Sequence, residues 1–135
     1  MEPLILQKKE EKSKLLIIDD SIGIQKILTN FLKDEFFLVI KNDGLEGLAW
    51  LDEGNEIDLI LVDINMPNLD GLELLKIIKS SSFYKHIPVI MLSAESESSK
   101  RIASLERGAD AFITKPFNPQ EVVANVKALL RKTPH

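Results

Sequence analysis

The 135-residue chain has no cysteine. Disulfide frameworks and thiolate metal sites are therefore excluded. It also lacks any apolar run close to the ~20 residues that a membrane-spanning helix needs. The opening Met1-Glu2-Pro3-Leu4-Ile5-Leu6 has no basic head and only a brief apolar stretch, which argues against a signal peptide. Positive charge is in deficit: 17 basic against 21 acidic residues leave a formal charge of −4. That balance gives no electrostatic footprint for nucleic acid. No repeat and no low-complexity tract interrupts the chain. What is present is 44% apolar residues, enough for one core. The expectation is a soluble, cytoplasmic, single-domain protein with neither nucleic acid nor membrane as a partner. Residues 1–13 form a charged N-terminal extension, 14–132 the domain and 133–135 a short tail.

Within the domain, short apolar runs alternate with helical spacings. Leu15-Leu16-Ile17-Ile18 stops at Asp19-Asp20-Ser21 and reads as a strand. Ile24, Ile27, Leu28 and Phe31 then follow helical spacing, with Ser21 or Asp20 as the cap. Phe37 to Ile40 is a second strand, followed by a helix from about Leu45 to Glu53 that Gly54 stops. Asp58 to Asp63 is the third strand. Leu72 to Ser80 is the next helix, with Leu74, Ile77 and Ile78 on one face. Pro88 to Leu92 is the fourth strand, followed by a polar helix from about Ser96 to Arg107. Ala111 to Thr114 is a short fifth strand. The last helix opens at Asn118, with Pro119 first, Glu121 placed for a capping box, and Val122, Val126, Leu129 and Leu130 as its core stripe. Five β-α units in strict alternation predict an α/β fold, a parallel sheet with helices on both faces.

Every strand then ends at the same edge of the sheet, and the polar residues gather there. Asp63 is the most informative of them. It ends Leu59-Ile60-Leu61-Val62, a run that reads as buried on both faces, and such a run should not end in a carboxylate without a reason. Asp19 and Asp20 end the first strand, Ser93 the fourth, and Lys115 follows the fifth. Three crowded carboxylates repel one another, and a hard divalent cation relieves this; oxygen-rich sites of this kind suit Mg²⁺. A cation, a lysine and a hydroxyl around one carboxylate make a cradle for a phosphoryl group, with Asp63 as nucleophile.

At this point the residues resemble a known family. Asp19-Asp20, then Asp63-Ile64-Asn65-Met66-Pro67 with Asp70-Gly71, then Ser93-Ala94, then Lys115-Pro116-Phe117 are similar to the receiver domain of two-component response regulators, over residues 14 to about 132. The resemblance implies a flavodoxin-like (βα)5 fold with strand order 2-1-3-4-5. It implies Asp63 as phosphoacceptor, Asp20 as a direct Mg²⁺ ligand, Asp19 acting mostly through metal-bound water, and the backbone carbonyl of Asn65 completing the metal site. Ser93 and Lys115 would contact the phosphoryl group, Phe112 would swing inward on activation, and Lys115-Pro116 would be cis. The donor would be a sensor histidine kinase or a histidine phosphotransfer protein. The chain would act as a stand-alone or relay receiver, signalling to an unidentified target protein through its fourth helix, fifth strand and fifth helix. It would not be an enzyme beyond catalysing its own phosphorylation and dephosphorylation. Lys41, Ser93 in place of Thr, and Phe112 in place of Tyr depart from the commonest pattern without touching the acids or the lysine.

Asn65 and Glu95 flank the site, either tuning phosphoryl lifetime through the attacking water or standing simply solvated. His86 and His135 read as exposed and inert, and Trp50 as packed against the sheet or partly exposed. Two other classes of function stand beside the first. A receiver fold used for phosphorylation-independent binding would not need the intact acids and lysine. A Mg²⁺-dependent phosphatase with an aspartyl nucleophile would carry a second acid after Asp63, where Ile64-Asn65 stands.

Overall fold

The computed structural model describes residues 12–94 and 99–132. Most of the N-terminal extension, Glu95, the expected start of the fourth helix and the tail with His135 lie outside the described residues. Five strands, β1 (Lys14–Ile18), β2 (Phe37–Lys41), β3 (Leu59–Asp63), β4 (Val89–Ala94) and β5 (Ala111–Lys115), alternate with five helices. These are α1 (Ile22–Leu32), α2 (Gly44–Asp52), α3 (Gly71–Ser80), α4 (Lys100–Glu106) and α5 (Pro119–Lys132). All paired strands are parallel and the order is β2-β1-β3-β4-β5. This is the flavodoxin-like arrangement that the family resemblance implies.

The continuous apolar runs have a simple cause. In a strand, successive side chains face opposite sides, so a strand covered on both faces must be apolar at every position. Leu15, Ile17, Leu59 and Leu61 face one core layer with Leu28, Leu32, Val122 and Val126 of α1 and α5. Leu16, Ile18, Ile60 and Val62 face the other, with Leu51, Leu74, Leu75 and Ile78 of α2 and α3. Each fully buried Leu, Ile or Val contributes about 1.5–3 kcal/mol relative to exposure. The two cores therefore hold β1 and β3 as the rigid centre from which the acids project.

Helix starts follow their caps. The Ser21 hydroxyl, not Asp20, accepts from the Ile24 N–H (3.3 Å), which leaves Asp20 outside the helix. Asp43 accepts from the Glu46 N–H and Asp70 from the Glu73 N–H, each at 2.9 Å. At α5 the Asn118 side chain accepts from the Gln120 N–H (2.9 Å), while the Glu121 N–H donates to the Asn118 carbonyl (2.8 Å). Gly54 ends the turn after α2 with φ of 95°, a left-handed conformation that favours glycine.

Two predicted stripes shift. On α1 the buried face is Leu28 and Leu32, while Ile27 and Phe31 are 41% and 43% exposed. Positions 28 and 32 are one helical turn apart and point inward together; 27 and 31 are the matching pair rotated about 100° away. On α3 the inward residues are Leu74, Leu75 and Ile78, and Ile77 is 38% exposed, for the same reason. The described part of α4 is a seven-residue helix packed beside α3 and β5. Its Ile102 and Leu105 face outward, and its one buried residue is Ser104, whose hydroxyl has no hydrogen-bond partner among the described residues.

Candidate functional site

The strand order places β2 on one side of β1 and β3 on the other, so the chain's crossovers diverge between β1 and β3. A crevice opens at such a point, at the carboxyl ends of the strands. Asp19 follows β1 there, and Asp63 is the last residue of β3. One carboxylate oxygen from each of Asp19, Asp20 and Asp63 lies within 4.8 Å of the others. Asp19 is fully buried and Asp20 is exposed, so the cluster has a closed back and an open front.

Asp19 is fixed by its neighbours. Its N–H donates to the Lys41 carbonyl (3.1 Å), one carboxylate oxygen accepts from the Ser21 N–H (2.8 Å), and the other accepts from Lys115 Nζ (3.1 Å). Lys115 Nζ also lies 3.2 Å from Asp63 Oδ1. One ammonium therefore bridges two carboxylates. Lys115 is the last residue of β5 rather than the first residue beyond it, and its bond to Pro116 is cis. The Asp63 carboxyl is raised above its ordinary value of 3.8 by burial first and by the Asp19 charge second. Lys115 and the Asn65 N–H act in the opposite direction and do not cancel the rise. The donor set fits a hard divalent cation: three carboxylates, two of them largely buried, with more negative charge than one lysine offsets.

Other predicted residues gather around this centre in different degrees. Ser93 is fully buried near the end of β4, one position before the residue paired with Lys115, and its hydroxyl donates to the Ala94 carbonyl (3.3 Å). Asn65 is exposed, and its side-chain oxygen accepts from Lys100 Nζ (3.3 Å). Phe112 is half-buried against the α2/α3 core layer, with the Arg101 guanidinium 5.7 Å from its ring centre, a cation–π distance. His86 is exposed at the opposite end of the sheet, and Trp50 is partly buried on α2.

Several contacts carry no signal in the sequence. Gln25 donates to the Asp19 carbonyl (2.5 Å) and to Asn42 (2.9 Å), tying α1 to the end of β2. Asn68 adopts φ of 70° and donates to Asp43 (3.0 Å), joining the β3–α3 loop to the β2–α2 loop. With the Glu46 N–H as the larger cause, this hydrogen bond holds the Asp43 carboxyl below its ordinary value. Only the turn chemistry of Asn at 68 hints at such a role.

Gly71 sets how closely α3 approaches the site. Its N–H donates to the Ile64 carbonyl (2.8 Å), and a Cβ there would lie 2.3 Å from the Asp63 carbonyl oxygen. Backbone cannot yield as a flexible side chain does. Gly71→Ala is expected to cost about 1–3 kcal/mol, the usual range for overpacking. Urea unfolding reads this as a lower midpoint, and the amide spectrum should shift at Asp63 and Ile64. An unchanged midpoint would mean that α3 moves away freely.

Comparison with known proteins bears on the whole arrangement. The family profile described as response regulator receiver domain matches residues 15–127. The transcriptional regulatory protein CpxR homolog of Haemophilus influenzae is 43% identical over 122 residues, which cover 90% of this chain and 52% of that protein. The signal receiver domain of a signal transduction histidine kinase from Syntrophus aciditrophicus superposes with a TM-score of 0.84 at 32% identity, covering 91% of this chain and 93% of that one. The chemotaxis response regulator CheY4 of Vibrio cholerae gives 0.80 at 32% identity, covering 87% and 98%. The chain spans about half the length of the curated relatives it matches. No helix among the described residues is long and apolar enough to cross a membrane. The profile match, the parallel sheet in this order and the acidic pocket at its switch point together place the chain in the response regulator receiver domain family of two-component signalling.

Proposed function

We propose that residues 14–132 act as a phosphoacceptor receiver, taking a phosphoryl group onto Asp63 from a phosphohistidine of a sensor kinase or phosphotransfer protein. The observation that carries this reading is the single ammonium of Lys115 bridging Asp19 and Asp63 inside a three-carboxylate cluster. A structural ion pair needs one carboxylate; this site holds three, and their excess charge suits a cation and a phosphoryl group. Mg²⁺ held by Asp19, Asp20, Asp63 and the Asn65 carbonyl would supply positive charge against the phosphoryl oxygens.

The chain's own residues do the rest. A carboxylate oxygen of Asp63 attacks phosphorus, the P–N bond breaks, and its electron pair leaves with the donor imidazole. Burial keeps competing water from the back of the site. Lys115 Nζ, already beside Asp63, turns to a phosphoryl oxygen. The Ser93 hydroxyl leaves the Ala94 carbonyl and donates to another. Because the residues beside these two groups pair across β4 and β5, both movements pull on the junctions leading to α4 and α5. Phe112 lies on the same strand as Lys115 and is placed to follow. Protein contacts on α4, β5 and α5 would then carry the signal. Asn65 and Glu95 would set how fast water removes the phosphoryl group.

Incubation with acetyl phosphate and Mg²⁺ tests the reading: a labile adduct by intact mass, absent with chelator, is expected. No adduct from either acetyl phosphate or a phosphohistidine donor would leave only a binding module. The donor's approach can be tested separately. Ile22 is 67% exposed at the start of α1, two residues from Asp20, and apolar exposure there offers a landing point for the donor protein. Ile22→Asp is expected to slow transfer from a phosphohistidine donor at least about tenfold, equivalent to a loss of about 1.4 kcal/mol, while labelling by acetyl phosphate stays unchanged. Equal slowing of both reactions would place Ile22 in the site's own structure instead.

A further inference from the structure

Lys100 and Arg101 are the first two residues of α4. Cations gain nothing from the positive end of a helix dipole, so their place there needs another reason. Each reaches a neighbour far off in the sequence. The Arg101 guanidinium stands over the Phe112 ring, and Lys100 Nζ lies 3.3 Å from Asn65 Oδ1, 35 residues away. The loop on the far side of this second contact is well fixed. The Ile64 N–H donates to the Leu92 carbonyl (2.9 Å) and the Gly71 N–H to the Ile64 carbonyl (2.8 Å), while the Asn65 N–H donates to the Asp63 carboxylate. Asn65 is thereby held against the carboxylate read above as phosphoacceptor, with its side chain at the exposed front of the site.

An ammonium only donates, so the Asn65 atom that meets it has to be the amide oxygen. That decides how the amide treats water. Loss of a phosphoryl group from Asp63 begins when a water oxygen bonds phosphorus. The bond from phosphorus to the Asp63 oxygen breaks, its electron pair returns to the carboxylate, and inorganic phosphate leaves with the water's hydrogens. The water must aim a lone pair at phosphorus, and an acceptor that holds one of its O–H groups helps it to do so. A donor has the opposite effect, because it occupies the lone pair that should attack. The Asn65 amide carries one acceptor oxygen and two N–H donors. With Lys100 on the oxygen, one of its lone pairs is taken, and the positive charge draws density from the other. The amide then meets water mainly as a donor.

We propose that Lys100 is a positioning residue that lengthens the life of the phosphoryl group by keeping the Asn65 oxygen from the attacking water. The proposal rests on the reading of Asp63 as phosphoacceptor. Chains labelled with acetyl phosphate and Mg²⁺, then freed of donor and returned to Mg²⁺, can be followed by intact mass as the adduct decays. Lys100→Met returns the lone pair to water and should lose the adduct about three- to tenfold faster than the native chain, the rate equivalent of one hydrogen bond. Lys100→Arg still donates to the oxygen and should decay close to the native rate. In an Asn65→Ala background, Lys100→Met should change nothing, because the oxygen is gone. The same factor with and without Asn65 would overturn the proposal and show the lysine charge acting on the phosphoryl group directly. An adduct that forms on Lys100→Met but decays at the native rate or more slowly would overturn it too, and leave the reading of Asp63 standing. A native chain that accepts no phosphoryl group from acetyl phosphate or from a phosphohistidine donor would overturn both.

Discussion

Asp63→Asn should abolish the phosphoryl adduct and raise stability at neutral pH in the same step. The amide keeps the shape of the carboxylate but offers no oxygen able to form the acyl phosphate. The gain in stability follows from the pKa. Burial and the Asp19 charge raise the Asp63 carboxyl from 3.8, and this net direction already includes the attraction of Lys115. A carboxyl raised on folding contributes stability that is fully present below its unfolded value and is lost as pH rises through its folded value. At neutral pH the native chain therefore carries the whole cost of an ionised Asp63, and the Asn variant carries none. Thermal unfolding in chelator should show the variant melting higher at pH 7, with the gap closing on acidification. A variant that melts no higher at pH 7 would contradict this account of the site's electrostatics, even if the adduct is lost as expected. Raising Mg²⁺ should stabilise the native chain by about 2.7 kcal/mol at a hundredfold excess over its dissociation constant, and the variant by less.

Lys115→Ala should be the most destabilising single change at the site. Asp19 is fully buried and Asp63 nearly so, and the lysine is 19% exposed between them. Removing one partner of a buried ion pair leaves an uncompensated charge and costs about 3–5 kcal/mol. Water reaches part of this lysine, so the lower end, about 3 kcal/mol, is expected in chelator. Added Mg²⁺ should recover much of the loss, because a cation held by the same carboxylates replaces the missing charge. Lys115→Arg, which keeps the charge, should lose much less. Urea unfolding with chelator and with Mg²⁺ separates the possibilities. An equal loss in both conditions would assign the lysine a packing role and remove the electrostatic argument for the site.

How much of this is legible in the sequence depends on the range of the interaction. β1 and β3 can be read directly, because burial on both faces forces unbroken apolar runs, and a carboxylate at the end of such a run is conspicuous. Asp19, Asp20, Asp63, Ser93 and Lys115 follow, since strict β-α alternation sends every strand end to one edge. Helix faces are less legible. Ile27 and Phe31 fit helical spacing as well as Leu28 and Leu32 do, and only the rotation of α1 about its own axis against the sheet decides between them. Ser21 and Asp20 are both good caps, and the start of α1 at Ile22 is what puts Ser21 at the cap position. The links made by Gln25, Asn68 and Lys100 are illegible for a different reason. Each joins polar residues far apart in the sequence, from a helix to a loop or from one loop to another, and polar residues at the surface are the ordinary case.

Ser104 gives α4 a property that its apolar neighbours do not have. Among the described residues its buried hydroxyl has no partner, and a buried hydroxyl left unpaired costs about 1–3 kcal/mol for as long as the helix keeps it facing inward. Any tilt or slide that lets water reach the hydroxyl recovers it. The seated arrangement of α4 is thus raised in free energy from within, while the sheet beneath stays deep in its own minimum. A cost of that size equals a few hydrogen bonds, so α4 is less firmly seated than the helices packed through buried apolar side chains.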